Sequence, residues 1–264
     1  MSPRRRLLVV GALAVAVALL VLAGLRTFGV RRTAHAPDQA RPGAVLLVPG
    51  YGGSQAALTH LADRLRAAGR SATVVTLPGD GTGDLLTQAD TLDTEVRRAL
   101  HAGAPSVDVI GYSAGGVVAR LWVDRHDGAR VARRVVTLGS PLHGARLAAL
   151  GSAVAPDACP LACRQLAPGS DLLAALDRRP LPPRLPWLSI WTENDETVQP
   201  PDSARLAGAV NVSVQSVCPD ARVSHGELPT DPLVTALVLR AVGAAALAVP
   251  GDCATLVNSS HRVS

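Results

Sequence analysis

The sequence predicts an α/β fold built on a mostly parallel, doubly wound sheet of six strands, with a short cap-like insertion. Short apolar runs alternate along the chain with longer segments of helical periodicity, which is typical of parallel strands joined by crossover helices. The apolar runs are continuous, as expected of strands that are buried on both faces. With 264 residues, 48% of them hydrophobic, the chain is long enough to bury one such core.

The boundaries of these elements follow from capping and breaking residues. The run AVLLV at 44–48 is ended by a Pro-Gly pair, and Ser54 is expected to cap a helix over 55–68. Glycine, proline and polar clusters bound the later elements in the same way. The other strands are predicted at 72–77, 107–111, 134–138, 187–191 and 210–214, and the other helices over 84–102, 114–125 and 231–248.

Residues 141–186 interrupt the alternation of strands and helices. This segment is rich in proline and leucine and contains two of the four cysteines. We interpret it as an insertion packed over one end of the sheet. Its leucines are candidates for the apolar wall of a binding site.

The N-terminal segment predicts export. A triplet of arginines at 4–6 precedes an uncharged apolar run, Leu7–Leu25, which is 19 residues long. The apolar core of a signal peptide is usually about 7–15 residues long, and a membrane-spanning helix needs about 20. We therefore expect residues 1–36 to be a signal peptide or a signal-anchor transmembrane helix. The body, residues 37–264, would then be extracytoplasmic, either secreted or anchored to the membrane by residues 7–25.

The net charge of +5 does not indicate a nucleic-acid partner. Six arginines and no acid lie in residues 1–36, and the other 20 basic side chains are matched by 21 acidic ones. A nucleic-acid binder would carry its basic excess on the folded body. Aromatic residues make up only 2% of the chain, which also argues against a site that stacks bases.

The four cysteines agree with an oxidising compartment. Four cysteines allow three pairings. We favour the pairing of Cys159 with Cys163, which closes a short loop, and of Cys218 with Cys253, which ties the tail to the loop before VSHG. The spacing does not match a zinc ribbon, so no metal site is expected.

One serine stands in a pattern with chemical meaning. Ser113 lies in G-Y-S-A-G, after a predicted strand and at the start of a predicted helix, which is the context that a nucleophile elbow requires. Gly111 and Gly115 lack the Cβ atoms that would clash in so sharp a turn. The turn would expose the serine hydroxyl above the edge of the sheet, next to the N–H groups of a helix N-terminus.

A serine needs a base and an acid to become a strong nucleophile, expected in the order serine, acid, histidine. His225 follows the last predicted strand and is the candidate base, with His143 as the rival because it follows a strand at the same edge. Asp195 is the candidate acid. Glu193 and Glu196, in the same loop, are interpreted as solvated acids.

Two backbone N–H groups are candidates for stabilising an oxyanion. One belongs to Ala114, which follows the serine. The other belongs to Tyr51 in VPGYGG, where the glycines would let a substrate approach the backbone closely. The alternative interpretation of this glycine-rich stretch is an ordinary tight turn.

These segments together resemble the α/β-hydrolase superfamily, in particular the small secreted, actinobacterial-type lipases and esterases of lipase class 2. The resemblance spans about residues 44–232 and implies an acyl-serine mechanism on carboxylic esters, no cofactor, and a triad of Ser113, Asp195 and His225. Pro49-Gly50 stands where many relatives have His-Gly, and Ser-Pro-Leu-His-Gly where lipases often have Thr-Pro-His-His-Gly. The matching stretches are LLVPGYGG, VDVIGYSAGGVVAR, VVTLGSPLHGA, NDETVQP and VSHGELPTDP.

Three functions are compatible with this sequence. The first is a monomeric serine esterase or lipase that acts on lipid or apolar esters. The second is an extracytoplasmic acyltransferase or thioesterase with the same triad, since a fold does not determine the acyl acceptor. The third is a non-catalytic, membrane-tethered, hydrolase-like binding protein. The first is favoured because the chain has a candidate for every catalytic role.

Overall fold

The structure, a computed structural model, describes residues 36–248 and 251–260 together with Pro3. The folded body belongs to the compact unit Ala36–Ser264. The predicted signal or anchor run Leu7–Leu25 lies outside the described residues. None of the helices in the described part of the chain is long and apolar enough to cross a membrane.

Six parallel strands form one sheet in the order β2-β1-β3-β4-β5-β6. The order reverses between β1 and β3, which is the position where ligands bind in open α/β sheets. All residues of the two central strands β3 and β4 except Tyr112 are buried, as the continuous apolar runs predict. The strands are β1 (Ala44–Val48), β2 (Ala72–Val74), β3 (Val107–Tyr112), β4 (Ala132–Leu138), β5 (Trp187–Trp191) and β6 (Val210–Ser213).

Helices cover both faces of the sheet, and each face has its own apolar core. Alternate side chains of β1 belong to different cores: Leu46 packs with α2 and α3, whereas Leu47 packs with α1 and α8. The helices are α1 (Ala56–Ala67), α2 (Leu85–His101), α3 (Ala114–Arg125), α4 (Arg146–Val154), α5 (Leu161–Gln165), α6 (Asp171–Asp177), α7 (Val214–Val217), α8 (Pro232–Ala241) and α9 (Cys253–Ser260).

Four details differ from the sequence-based expectation. The edge strand β2 ends at Val74, three residues early, because the chain turns away from β1 before Pro78. Ser54 does not cap α1, whose N-cap is Gln55 without a side-chain hydrogen bond. The last predicted helix ends at Ala241 and not at 248, and the tail forms α9, which was not predicted.

The early end of α8 has a physical cause. Arginines from β4 bind carbonyl groups at its end: Arg134 donates to Ala241, the last residue of α8, and Arg133 donates to Gly243, two residues further on, at 2.7 Å. Cationic groups are favourable at a helix C-terminus because they satisfy its free carbonyls and oppose the helix dipole. The sequence pattern of the helix alone does not contain this interaction.

The insertion contributes α4, α5 and α6, and most of its leucines belong to the core. Leu166, Leu173, Leu176 and Leu185 are buried in the same cluster as α2 and α3. They are therefore not available as the apolar wall of a binding site, and that expectation was wrong for these four residues. Among the three α-helices of the insertion, α4 alone has no buried residue, and it exposes an apolar row of Leu147, Leu150 and Val154.

Both expected disulfides are formed. Cys159 is bonded to Cys163 beside α5, and Cys218 is bonded to Cys253 across 35 residues, which attaches α9 to the body. None of the described cysteines is free. A pair of disulfides is compatible with an extracellular protein.

A buried ion cluster lies on β3 and β4. Arg133 donates two hydrogen bonds to Asp108, at 2.9 and 2.6 Å, and Arg70 donates another at 2.7 Å. The side chains of Arg133 and Asp108 are fully buried. Arg133 and Arg70 share the carboxylate of Asp108. Because burial of an unpaired charge is costly, both arginines depend on this carboxylate for their stability in the fold.

We expect Asp108→Ala to lower the free energy of unfolding by about 3–5 kcal/mol, because it leaves buried guanidinium groups without their anion. Urea denaturation would measure the loss. Asp63→Ala is the matched control, since Asp63 pairs with Arg66 on the surface and should cost at most about 1 kcal/mol. Equal losses in the two variants would contradict this account of the cluster.

Candidate active site

Ser113 occupies a sharp, strained turn between β3 and α3. Its φ of 52° and ψ of −126° lie in a region that side chains disfavour, and among the described non-glycine residues only Asp127 also has a positive φ. The Ser113 N–H donates to the carbonyl of Leu138 on the neighbouring strand at 2.8 Å. The serine is thereby fixed at the carboxyl edge of the sheet, and its side chain is only partly buried.

The glycines around Ser113 allow close packing of backbones. A Cβ atom on Gly111 would lie 2.5 Å from the Gly115 carbonyl oxygen, and one on Gly115 would lie 2.2 Å from the Val48 carbonyl oxygen. Gly116, which the sequence analysis did not use, packs against Ser140, since a Cβ atom on Gly116 would lie 1.9 Å from the Ser140 Oγ. Any side chain at these positions would push the start of α3 away from the sheet.

His225 joins Ser113 to Asp195. Its Nε2 is 3.0 Å from Ser113 Oγ, and its Nδ1 is 2.7 Å from Asp195 Oδ2. The imidazole is buried, in the loop that follows β6 and α7. The structure therefore brings together the three side chains that the sequence nominated.

Asp195 is held so that only one of its oxygens is directed at the histidine. The other oxygen, Oδ1, accepts N–H groups from Thr197 at 2.9 Å and Val198 at 2.6 Å. A carboxylate can only accept, so Nδ1 of a neutral His225 carries the proton, and Nε2 is left to accept from the Ser113 hydroxyl. This is the tautomer that a general base needs.

The rival histidine lies in different surroundings. His143 contacts Asp177 at 3.1 Å through Nδ1 and the Arg205 carbonyl at 3.0 Å through Nε2, and its side chain is 45% exposed. It has no hydrogen bond to Ser113 in the described part of the chain. It connects α6 of the insertion with the segment before β6.

The two loop acids are exposed, as expected of solvated acids, and each also accepts a hydrogen bond from the protein. Glu193 accepts a hydrogen bond from Ser213 Oγ at 2.8 Å. Glu196 accepts the backbone N–H of His225 at 3.0 Å. Nothing in the sequence around these two exposed residues indicated the contacts.

The predicted oxyanion donors lie beside the serine. Ala114 is the first residue of α3, where backbone N–H groups have no acceptor within the helix. Gly50 packs directly on Ser113, since a Cβ there would be 3.0 Å from the serine Cβ, and this brings the Tyr51 peptide close to the site. The loop closes through a hydrogen bond from Gly53 N–H to the Gly50 carbonyl at 3.1 Å.

Gly139, at the end of β4, is a site residue that the sequence analysis missed. Its φ is +53°, and a Cβ on it would lie 3.1 Å from His225 Nδ1 and 3.2 Å from Asp195 Oδ2. The glycine therefore leaves room for the hydrogen bond between the acid and the histidine. Its place directly after a buried strand at the carboxyl edge was the available signal.

We expect Gly139→Ala to lower kcat about tenfold or more and to cost about 1–3 kcal/mol of stability, because the new methyl group presses on the His225–Asp195 pair and on Leu228. Steady-state kinetics and thermal melting would measure both effects. Gly83→Ala is the control, since Gly83 has open space around its Cβ position and no positive φ. An unchanged kcat in Gly139→Ala would contradict this prediction, because it would show that the His225–Asp195 pair tolerates displacement.

The strand order, the helices on both faces and the serine turn define the α/β-hydrolase fold. Among solved structures, Aspergillus fumigatus lipase B is similar, with a TM-score of 0.64, 18% identity, and coverage of 84% of this chain and 61% of its own. This chain therefore spans less than two thirds of the length of that lipase. Bacillus licheniformis lipase BlEst2 in its mature form has a TM-score of 0.57, 21% identity, and coverage of 67% of this chain and 84% of its own.

A third similar structure belongs to the metagenome-derived lipolytic enzymes LipS and LipT, with a TM-score of 0.50, 18% identity, and coverage of 68% of this chain and 88% of its own. No protein-family model and no curated protein matches the sequence. At identities this low, the similarity establishes the fold and leaves the reaction to be argued from the site.

Proposed function

We propose that this chain is a serine hydrolase that cleaves carboxylic esters through an acyl-serine intermediate. The observation that carries the proposal is the continuous hydrogen-bonded chain from Asp195 through His225 to Ser113, with contacts of 2.7 and 3.0 Å. The serine at its end sits in a strained turn at the start of a helix. This combination matches the geometric requirements of an activated nucleophile.

The proposed reaction has two halves. Ser113 Oγ attacks the ester carbonyl carbon while His225 Nε2 takes its proton, and Asp195 stabilises the resulting imidazolium. His225 then gives the proton to the departing alcohol, which leaves the acyl group on Ser113. In the second half, a water molecule loses a proton to His225 and attacks the acyl-enzyme; the carboxylic acid leaves and Ser113 regains its proton.

The negative charge that develops on the carbonyl oxygen would be stabilised by the backbone N–H groups of Tyr51 and Ala114. The packing of Gly50 on Ser113 and the position of Ala114 at the helix N-terminus support this role. Preorganised donors of this kind need no rearrangement when the charge forms, and one donor typically contributes about 10²–10³-fold in kcat. The mechanism uses no cofactor.

Apolar or lipid esters are the proposed substrate class. The exposed row on α4 supports this choice, since Leu147, Leu150 and Val154 are 55%, 59% and 80% exposed. The first residue of α4, Arg146, donates its N–H to the Gln199 carbonyl at 2.9 Å, and the Gln199 side chain donates to the Asp195 carbonyl. The N-terminus of α4 is thereby linked through Gln199 to the loop that carries the proposed acid. Two of the similar structures are named lipases.

We further propose that residues 37–264 act outside the cytoplasm as a small secreted or anchored lipase or esterase of the actinobacterial type, with residues 1–36 as its signal or anchor. The apolar run Leu7–Leu25 and the pair of disulfides support this placement. A monomer is sufficient for the reaction, because one chain supplies the serine, the histidine and the acid.

Hydrolysis of p-nitrophenyl esters, from acetate to palmitate, tests this function with the wild-type protein and Ser113→Ala side by side. Turnover that depends on Ser113 supports the proposal, and the optimal chain length describes the acyl site. If no ester is cleaved while Ser113 still reacts with a fluorophosphonate, an acyltransferase or thioesterase becomes the better description. If neither reaction occurs, the serine is not an activated nucleophile.

A further inference from the structure

Two side chains without a role in this mechanism hold the backbone on either side of His225. The Tyr112 hydroxyl donates to the His225 carbonyl at 3.2 Å, and Glu196 accepts the His225 N–H at 3.0 Å. The contacts are long-range in sequence, 113 and 29 residues apart. The N–H and the C=O of His225 are therefore both hydrogen-bonded to other segments of the site.

Each of these two residues is adjacent in sequence to another member of the proposed triad. Tyr112 directly precedes Ser113, and Glu196 directly follows Asp195. The end of β3 with the serine turn, and the loop that carries Asp195, thus each bind the histidine twice, once through its imidazole and once through its backbone. In each segment, the contact to the imidazole and the contact to the backbone both resist a displacement relative to His225.

We propose that Tyr112 and Glu196 are positioning residues, which fix the His225 imidazole between serine and acid by holding its main chain. The inference rests on the proposed function, since it assigns the two residues to the same site. The distance from Nε2 to a nucleophile must be kept within a few tenths of an ångström for efficient proton transfer. The position of an imidazole ring depends on the position of the Cα atom that carries it.

The chemistry of Tyr112 suits this role. Burial, together with the negative charges of Asp195 and Glu196, raises the pKa of Tyr112 to about 12, so the hydroxyl remains a donor across the working pH range. Its ring also lies 5.2 Å from the His225 ring, centroid to centroid, with an angle of 31° between the planes. The aromatic contact supports the imidazole from the side, while the hydroxyl holds the backbone.

The experiment measures the second-order rate constant for labelling of Ser113 by a fluorophosphonate, in which the Ser113 Oγ–P bond forms, fluoride leaves and His225 takes the proton. This readout reports the activation of the serine without requiring the natural substrate. Tyr112→Phe removes one hydroxyl and keeps the ring. Glu196→Ala removes the acceptor, and Glu196→Gln keeps a neutral acceptor. Glu193→Gln is the matched control from the same loop, because Glu193 binds Ser213 and does not contact His225.

We expect Tyr112→Phe to slow labelling about threefold to tenfold and Glu196→Ala about tenfold, as for loss of one hydrogen bond at the site. Glu196→Gln should recover most of the Glu196→Ala loss, and Glu193→Gln should match the wild type. On p-nitrophenyl acetate the losses should appear in kcat and not in KM. Thermal melting, measured for each variant, identifies losses that come from unfolding.

The outcomes separate this inference from the proposed function. If wild-type Ser113 is not labelled, the proposed function fails and the positioning role fails with it. If the wild type is labelled and Tyr112→Phe and Glu196→Ala react as fast as Glu193→Gln, the proposed function stands and the positioning role is wrong. If Glu196→Gln is as slow as Glu196→Ala, Glu196 acts through its charge and not by holding the peptide. If Glu196→Ala is unfolded, Tyr112→Phe decides: labelling that is slowed threefold to tenfold supports the positioning role, and labelling as fast as that of Glu193→Gln overturns it.

Discussion

Ser113→Ala should lower the turnover of p-nitrophenyl esters by about 10⁴–10⁶-fold, because it removes the side chain that forms the covalent intermediate in the proposed mechanism. The residual rate would come from the oxyanion donors and from binding alone. Stability should change little, since alanine fits the same turn and only a partly buried hydroxyl is removed. Initial rates with the purified variant and wild type, together with thermal melting, measure both effects.

Ser106→Ala is the matched control for the serine variant. Ser106 is buried before β3, and its Oγ has no hydrogen-bond partner among the described residues, so its loss should leave turnover unchanged. Retention of more than a hundredth of the wild-type rate in Ser113→Ala would mean that another group is the nucleophile.

Asp195→Asn should lower kcat by about 10³–10⁴-fold while the protein remains folded. Because Oδ1 is held by the N–H groups of Thr197 and Val198, the amide oxygen of asparagine would take that position. The amide NH₂ would then point at His225 Nδ1. Nδ1 must accept this hydrogen bond, so the ring proton moves to Nε2, and the histidine can no longer take a proton from Ser113.

Steady-state kinetics and the rate of fluorophosphonate labelling would both measure the Asp195→Asn effect. KM should change much less than kcat, since Asp195 is buried beneath the histidine and does not reach the substrate. Glu193→Gln removes an acid from the same loop and should retain full activity. A loss below about tenfold in Asp195→Asn would contradict the assigned tautomer.

The elements of the sheet were predictable because their signals are local. The run 44–48 and the run 187–191 coincide with β1 and β5, since a continuous apolar stretch has few alternatives in a buried sheet. The end of α8 was not predictable, because it depends on arginines more than a hundred residues away in the chain. The pairing of Asp108 with Arg133 becomes visible only once β3 and β4 are known to be neighbours.

The site divides in the same way. Ser113, Asp195 and His225 could be nominated because their residue types, chain order and places after strands are recorded in the sequence. Gly139 and Glu196 were not nominated. The place of Gly139 after a strand was a weak signal, and the contacts of both residues depend on distances across loops: Gly139 leaves space beside His225, and Glu196 accepts its N–H. The four buried leucines of the insertion were misjudged, because composition does not distinguish a leucine that packs in the core from one that faces a substrate.

The most direct test of the central claim is to identify the residue that reacts. The wild-type protein would be treated with a fluorophosphonate, digested and mapped by mass spectrometry, beside Ser113→Ala. The account predicts one phosphonyl group, on the peptide that contains Ser113, and no labelling of the variant. A label on another residue, or an unlabelled wild type that still cleaves esters, would contradict the assignment of Ser113 as the nucleophile.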